Sequence, residues 1–313
     1  QAIILYNRRG YAPVVECSGC GATYQCPSCG IGSLVLHHRQ GRLRCHYCGF
    51  WRDYERNCPA CQTELNVVGY GTERIEEAIS AALPGTAVTR MDADTTKGKG
   101  AHQRILDAFR RQESQVLVGT QLVAKGHDFP AVTLAAVVGV DHILLMPDFR
   151  SAERTYALVT QLAGRAGRGE RPGRVLIQTR QSDHFVFSHV APTTPLDAFY
   201  TDEVKQRAIL SHPPFARVVM IRLESADIRE AQAAGTSLVS TLRSTADGHG
   251  IQVFGPTLAP LSKLVGRWRF QVVLRGRDVP LFRAWLSSVE AILHERPKRG
   301  VRVSVDVDPR SLL

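Results

Sequence analysis

The sequence predicts an α/β chain in three parts: a parallel sheet flanked by helices, a cysteine-rich metal-binding insertion near its start, and a smaller α+β domain at its end. Three observations carry this prediction. Apolar, strand-like runs alternate with helical periodicity between residues 67 and 179. All eight cysteines fall within the first 61 of 313 residues, as four C-x2-C pairs. After a Pro/Thr-rich stretch at 191–197 the alternation restarts in the order β-α-β-β-α-β. A chain of this length holds two or three domains with proper cores and needs no cross-links.

The elements follow in order. Ala2 to Tyr6 reads as a buried strand, followed at once by a basic turn and the cysteines. With no Met before it, this start reads as the middle of a larger protein. Val67 to Tyr70 reads as a strand, and GTERIEEAISAAL as a helix with Thr72 as N-cap and Glu73, Glu76 and Glu77 at the positive end of its dipole. AVTRM is a strand. AHQRILDAFRRQE is an amphipathic helix with Ile105, Leu106 and Phe109 on one face, and QVLVGT, TLAAVVGV and GRVLIQT are further strands. Past the linker, FYTDEVKQRAIL is a helix stopped by Pro213 and Pro214. RVVMIRLE, IQVFGPT, FQVVLRG and VRVSVDV are strands, with helices over 228–246 and 281–294. That order is the split β-α-β of ferredoxin-like folds. The domains expected are a sheet domain at 1–16 and 62–195, a zinc insertion at 17–61 and a C-terminal domain at 196–313.

The net charge of +10 and the pI near 9.4 favour a polyanionic partner such as nucleic acid. No run of eighteen apolar residues predicts a transmembrane helix, and QAIILYNRRG does not read as a signal peptide. A cytoplasmic setting keeps thiols reduced, so the C-x2-C pairs read as metal sites, not disulfides.

The pairs are separated by five, fifteen and nine residues. Each can offer two thiolates to one tetrahedral ion, so four pairs make two zinc sites. Three pairings are possible. The fifteen-residue spacing between Cys26/Cys29 and Cys45/Cys48 matches a zinc ribbon and leaves Cys17/Cys20 with Cys58/Cys61, a nested arrangement. A crossed brace is the rival. Either way both sites are closed by four thiolates, so the zinc is structural and supplies folding energy. His37, His38 and His46 read as surface residues, since eight thiols already fill two sites. The segment carries Arg39, Arg42, Arg44, Tyr47, Phe50 and Trp51, side chains that suit forked or unpaired DNA and equally suit a solvated face over a small core. Loss of the inner site, as in Cys26→Ser, is expected to leave the C-terminal domain folded.

Two stretches carry chemistry. VGTQLVAKGHDFP (118–130) leaves a strand end for a Gly-containing loop, where α/β proteins place ligands. QLAGRAGRG (161–169) puts Gln161, Arg165 and Arg168 on one face of a helix end, with small residues that let a partner surface approach. Two guanidiniums aimed together suit a triphosphate. GTQLVAKGH imitates a phosphate-binding loop, but Ala124 replaces its second Gly and Gly126 its Ser/Thr. The chain thus has arginines suited to a γ-phosphate and no cradle for the nucleotide. In VGRWRFQVVLRG, alternation sets Trp268 and Phe270 on one face and Arg267 and Arg269 on the other, offering one face to a core and the other to DNA backbone; an ordinary half-exposed strand fits the same pattern.

QLAGRAGRG resembles motif VI of superfamily-2 helicases, and GTQLVAKGHDFP resembles their motif V. LYNRRGYAP, the four C-x2-C pairs, GYGTERIEEAI and PDFRSAERTYALVTQLAGRAGRG together resemble the primosomal replication-restart helicases, through nearly the whole chain. The resemblance implies a RecA-like second helicase lobe with a two-zinc insertion, then the C-terminal domain; the first lobe, with its ATP and Mg2+ site, would precede Gln1. It implies an ATP-dependent 3′-to-5′ DNA helicase of replication restart that is inactive as this piece alone, or else a helicase-inactive, fork-binding primosome scaffold. It makes Arg165 and Arg168 the motif VI arginines, Arg168 reaching γ-phosphate, and Gln161 a nucleotide sensor. Thr120 and Gln121 would contact DNA backbone, and Gly126 and Asp128 would join DNA to the nucleotide edge. It favours the nested zinc pairing. Its implied partners are forked and single-stranded DNA, other primosome proteins, and the single-stranded-DNA-binding protein, whose acidic tail Arg277 or Arg283 would meet; no membrane is implied. His142 and Ile143 stand where that family has smaller residues.

Overall fold

A computed structural model describes all residues except 7–13, 21, 23, 25, 28–33, 38–40, 46–48, 69–71, 93–94, 97, 125–127, 170, 192, 295–299 and 313. The chain opens with β1 (Ala2–Tyr6). It then runs through five short strands of the cysteine-rich segment: β2 (Val14–Cys17), β3 (Val35–His37), β4 (Arg42–Arg44), β5 (Trp51–Asp53) and β6 (Leu65–Val68). Next come α1 (Thr72–Ala82), β7 (Val88–Met91), α2 (Ala101–Arg110), β8 (Val116–Gly119), β9 (Leu134–Val138), α3 (Asp141–Leu144), α4 (Ser151–Ala163), β10 (Arg174–Ile177) and α5 (Phe185–Ser188). The last third holds α6 (Leu196–Leu210), β11 (Arg217–Ser225), α7 (Ile228–Ala246), β12 (Ile251–Leu264), β13 (Arg267–Gly276), α8 (Val279–Ser288), α9 (Glu290–His294) and β14 (Arg302–Val307).

These elements form two compact units. The first comprises Gln1–Gly10, Val68–Met146 and Ser151–Phe199, and the second Tyr11–Val67, Pro147–Arg150 and Tyr200–Leu313. The first unit is a five-stranded sheet in the order β10-β9-β1-β8-β7, with every pairing parallel. Parallel strands need covered faces, and the apolar runs of β1 and β8 supply them. Ile3, Leu5, Leu117, Val137, Leu106, Phe109, Val159 and Leu162 make one core in which none is more than 1% exposed. Gly119 ends β8 because nothing larger fits: a Cβ there would lie 2.4 Å from both the Met91 carbonyl oxygen and a Val123 methyl. That close approach starts the loop carrying Thr120 and Gln121.

The second unit contains two sheets. One has the order β12-β13-β11-β14, antiparallel throughout, with α7 and α8 packed on one face through Ala231, Leu242, Phe282 and Trp285. This is the split β-α-β-β-α-β arrangement. The other is the cysteine-rich sheet, β5-β4-β3-β2-β6. Its core is continuous with the C-terminal sheet: Val15, Leu36, Leu43 and Leu65 cluster with Val218, Val273 and Leu312. The Thr257 hydroxyl donates to the buried Cys45 carbonyl at 3.2 Å. The cysteine-rich segment, read from sequence as an insertion on its own, is therefore walled by the C-terminal domain.

Three sequence expectations are corrected here. The strand at Val67 to Tyr70 was placed in the parallel sheet; β6 instead closes the cysteine-rich sheet, and Tyr70 lies outside the described residues. The helix expected over 281–294 breaks at Val289 into α8 and α9. The strand IQVFGPT continues to Leu264 as a 14-residue strand. For the two strands, pairing with neighbours outweighs the local pattern.

His212 supplies a pH test. It is 5% exposed, and burial, with the positive charges of Arg275 and Arg207, pushes it down to about 4 against the pull of Asp148. The folded state binds the proton less readily than the unfolded chain, whose histidine sits at 6.5. Its contribution to stability is complete above about pH 6.5 and is lost as the pH falls toward 4. Urea midpoints across that window are expected to fall with pH, and His212→Gln is expected to flatten the fall; an unchanged slope would remove His212 as the cause.

Candidate functional site

The first constellation lies at the C-terminal ends of the parallel strands. Leaving β8, the chain makes a 3-10 turn over Gln121–Ala124, closed by the Val123 amide donating to the Thr120 carbonyl at 3.0 Å. Thr120 and Gln121 are half-buried. Gly126 lies outside the described residues. Phe129 is then buried to 2%, its ring edge-on to Phe109 with centroids 4.9 Å apart. This anchor, which the sequence reading passed over, holds the adjoining Asp128 at the surface.

The arginines do not lie on a helix face. α4 ends at Ala163, and Arg165 and Arg168 follow in a glycine turn. Gly167 takes φ 77, which favours glycine, and its amide donates to the Val132 carbonyl at 3.0 Å. A Cβ on Gly167 would meet the Gly173 amide at 2.5 Å; one on Gly169 would meet the Pro130 carbonyl oxygen at 2.5 Å; one on Gly173 would meet the Gly167 amide at the same distance. The small residues expected to admit a partner surface instead let this turn seat on the loop after Asp128. The result is a joined pair of motifs. Arg168 donates from Nη1 to Asp128 Oδ1 at 3.1 Å and from Nε to the Gly164 carbonyl at 2.6 Å. Arg165 is half-buried, and Gln161 is exposed on the last turn of α4.

Gly173→Ala tests the seating. The new methyl would overlap backbone on both sides, at a cost of roughly 1–3 kcal/mol. The Asp128–Arg168 contact should be lost with it, seen as increased amide exchange across residues 164–169. Unchanged protection there would mean that the turn holds itself.

The second constellation is the outer cysteine set. The ligand atoms of Cys17, Cys20, Cys58 and Cys61 all lie within 4.8 Å of one another. Sγ of Cys17 is 3.3 Å from that of Cys61, and Sγ of Cys20 is 3.7 Å from that of Cys58. Four thiolates about 2.3 Å from one zinc stand about 3.8 Å apart, so the set fits the ion. The amides of Gly19 and Cys20 donate to Cys17 Sγ at 3.3 and 3.4 Å. Gly19 fits closely there, since a Cβ would meet the Thr63 hydroxyl at 2.5 Å and displace that side chain. The Thr63 hydroxyl and amide pull the Cys61 thiol downward. Of the inner set, Cys26 and Cys45 are buried, and Cys29 and Cys48 lie outside the described residues.

The other basic positions divide. Arg42 stacks on the half-exposed Trp51 ring at 3.9 Å, and Arg44 is largely enclosed. Arg39 and Tyr47 lie outside the described residues. On β13 the arginine face is not open. Arg269 is 7% exposed and pairs with Glu224 at 3.2 Å, and Arg267 donates to the carbonyls of Glu224 and Gly300, both at 2.9 Å. Trp268 and Phe270 face the α7–α8 core as alternation predicts. Arg277 is exposed and donates from Nε to the Ser211 hydroxyl at 2.9 Å; Arg283 is exposed as well.

With this geometry in view, comparison with known proteins is direct. Residues 63–170 match the helicase conserved C-terminal domain. Residues 26–52 match the PriA DNA helicase Cys-rich region domain, and residues 208–310 match the primosomal protein N C-terminal domain. The parallel sheet with its joined motifs is thus a helicase C-terminal lobe, accompanied by a zinc-binding cysteine-rich domain.

The particular kinship is equally plain: the whole chain matches the C-terminal portion of the replication restart proteins PriA. It is 37% identical to replication restart protein PriA of Bacillus subtilis (strain 168) over 315 aligned residues, covering 100% of this chain and 39% of the relative. The protein of the same name from Synechocystis is 36% identical over 100% of this chain and 37% of its own length. That from Haemophilus influenzae is 36% identical over 100% and 42%. The chain therefore spans about two fifths of the length of the curated relatives it matches. Among the described residues no helix is long and apolar enough to cross a membrane.

Proposed function

We propose that the intact protein is an ATP-dependent 3′-to-5′ DNA helicase of replication restart, which recognises stalled forks and initiates primosome assembly. In this reading the division is a helicase lobe at 1–16 and 62–195, a zinc module at 17–61 and a DNA- or partner-binding domain at 196–313. The observation that carries it is the contact between Asp128 and Arg168, which couples the loop leaving β8 to the arginine turn after α4.

The pair is exposed, with side-chain accessibilities of 43% for Arg168 and 65% for Asp128, so it contributes only about 0–1 kcal/mol. Asp128 therefore orients the guanidinium without trapping it. A triphosphate presented by the first lobe takes Arg168 over at little cost, and Arg168 and Arg165 then stabilise charge spreading over the γ-phosphate. Gln161, on the last turn of α4 before the arginine turn, senses that exchange. Thr120 and Gln121 hold DNA backbone, and Gly126 and Asp128 carry its position to the nucleotide edge. ATP and Mg2+ belong to the intact protein, and this chain by itself should not turn ATP over.

Two structural zinc ions are proposed, one on Cys17, Cys20, Cys58 and Cys61 and one on Cys26, Cys29, Cys45 and Cys48. Forked and single-stranded DNA, the single-stranded-DNA-binding protein and other primosome proteins are the proposed partners, in a cytoplasmic, nucleoid-associated setting. Arg277 is the basic position proposed for such contacts, because the residue is exposed, with its guanidinium bonded to the Ser211 hydroxyl. The reading is tested by ATP hydrolysis of the intact protein with and without forked DNA, beside this chain alone. Turnover by the chain alone would overturn it. Tight fork binding without turnover by the intact protein would leave a scaffold.

A further inference from the structure

We propose that the tip of the β12–β13 hairpin is an apolar wedge that seats on the terminal base pair of a DNA duplex where it meets single strand. The proposal rests on the DNA-binding reading above and adds a specific contact to it.

The tip is built in a way that folding does not favour. Lys263 pairs with Trp268 and Leu264 with Arg267, so a two-residue turn of Val265 and Gly266 joins the strands. Both turn residues have positive φ, 46 for Val265 and 75 for Gly266. Such a turn favours Asn-Gly or Asp-Gly, and a β-branched residue there is strained. Among the described residues the other non-glycine positions with positive φ hold Gln62, Gln112, Ser211 and Asp308, all polar. Val265 is also 91% exposed, and Leu264 beside it is 47% exposed. Strain and exposed apolar surface at one point, with no packing in return, mark a position kept for contact.

Behind the tip the ladder shifts register between Leu258 and Lys263, and side chains hold the stem. Arg267 is tied to two carbonyls at 2.9 Å, and Trp268 is set against the α7–α8 core. The size and charge of the tip select the occupant. Two apolar side chains fall far short of the roughly 800 Å² per partner that a stable protein interface needs. They do match the face of one base pair, and apolar side chains inserted at base steps are a recurrent way to unstack DNA. Lys263, its ammonium 5.0 Å from the Trp268 ring, stands one residue behind the tip to meet the adjoining phosphate.

The test uses the zinc-loaded 313-residue chain and a fork carrying 2-aminopurine at the junction base pair. Binding is read by anisotropy and unstacking by 2-aminopurine fluorescence. The wild-type chain is expected to bind the fork and raise the fluorescence several-fold. Val265→Asn and Leu264→Gln should bind comparably and lose most of that rise. Val265→Asn, which suits the left-handed position, should melt no lower than wild type.

Three results would overturn the wedge: binding without a fluorescence rise in wild type, a full rise in both variants, or a lower melting temperature for Val265→Asn. The last would show the valine to be there for folding. Failure of the wild-type chain to bind any fork would overturn the DNA-binding reading itself, and the wedge with it.

Discussion

Replacing Arg168 with alanine in the intact protein is expected to lower DNA-stimulated ATP turnover by about a thousandfold or more, the range for an arginine that stabilises charge on a transferring phosphoryl group. The fold should tolerate the change. Arg168 is 43% exposed on its side chain and its ion pair is solvated, so its removal should cost no more than about 1 kcal/mol of stability. Asp128→Asn separates positioning from charge. It keeps the guanidinium and weakens its tether, so DNA stimulation should fall more than basal turnover. If Arg168→Ala retained full turnover, the arginine would not reach the nucleotide. If Asp128→Asn matched wild type in both states, the contact seen here would not transmit DNA binding.

Removing zinc from the outer site, by chelation or by Cys58→Ser, is expected to destabilise the C-terminal domain together with the cysteine-rich segment. From sequence, loss of the inner site through Cys26→Ser is expected to leave the C-terminal domain folded. The shared core changes that expectation. Val218 and Val273, on β11 and β13, are 2% and 0% exposed in a cluster shared with the cysteine-rich sheet, and Leu312 joins it. Exposing three such side chains costs roughly 1.5–3 kcal/mol each at full burial. Zinc–thiolate binding of the kind that folds small metal domains supplies about 10–16 kcal/mol at neutral pH. Calorimetry should show the C-terminal transition shifting to lower temperature as zinc is withdrawn. A transition that stays in place while metal content falls would mean that the two sheets fold independently.

Much of this was legible in the residues. The parallel sheet is carried by apolar runs, AIILY and QVLVGT, that must be buried on both faces. The C-terminal alternation determines its order of elements, because side-chain period follows backbone geometry. The outer cysteine set is suggested by nested spacing and then by the resemblance. What stayed hidden shares one cause. Arg165 and Arg168 sit at helical spacing, yet α4 stops before them, because a glycine turn gains a carbonyl from another loop that no local pattern reveals. Arg267 and Arg269 alternate as a solvent face should, yet Glu224 and Gly300 come from distant parts of the chain to satisfy them.

The sequence by itself determined which segments are strands and helices, which cysteines can share an ion, and which motif residues carry charge toward a phosphate. Only the tertiary structure decided that Asp128 meets Arg168, that β6 belongs to the cysteine-rich sheet, that this sheet shares its core with β11 and β13, and that Arg267 and Arg269 are bonded within their own domain. Local geometry repeats every two or 3.6 residues and can be read along the chain. Contacts between residues forty to two hundred positions apart depend on the packing of whole elements, which no single stretch specifies.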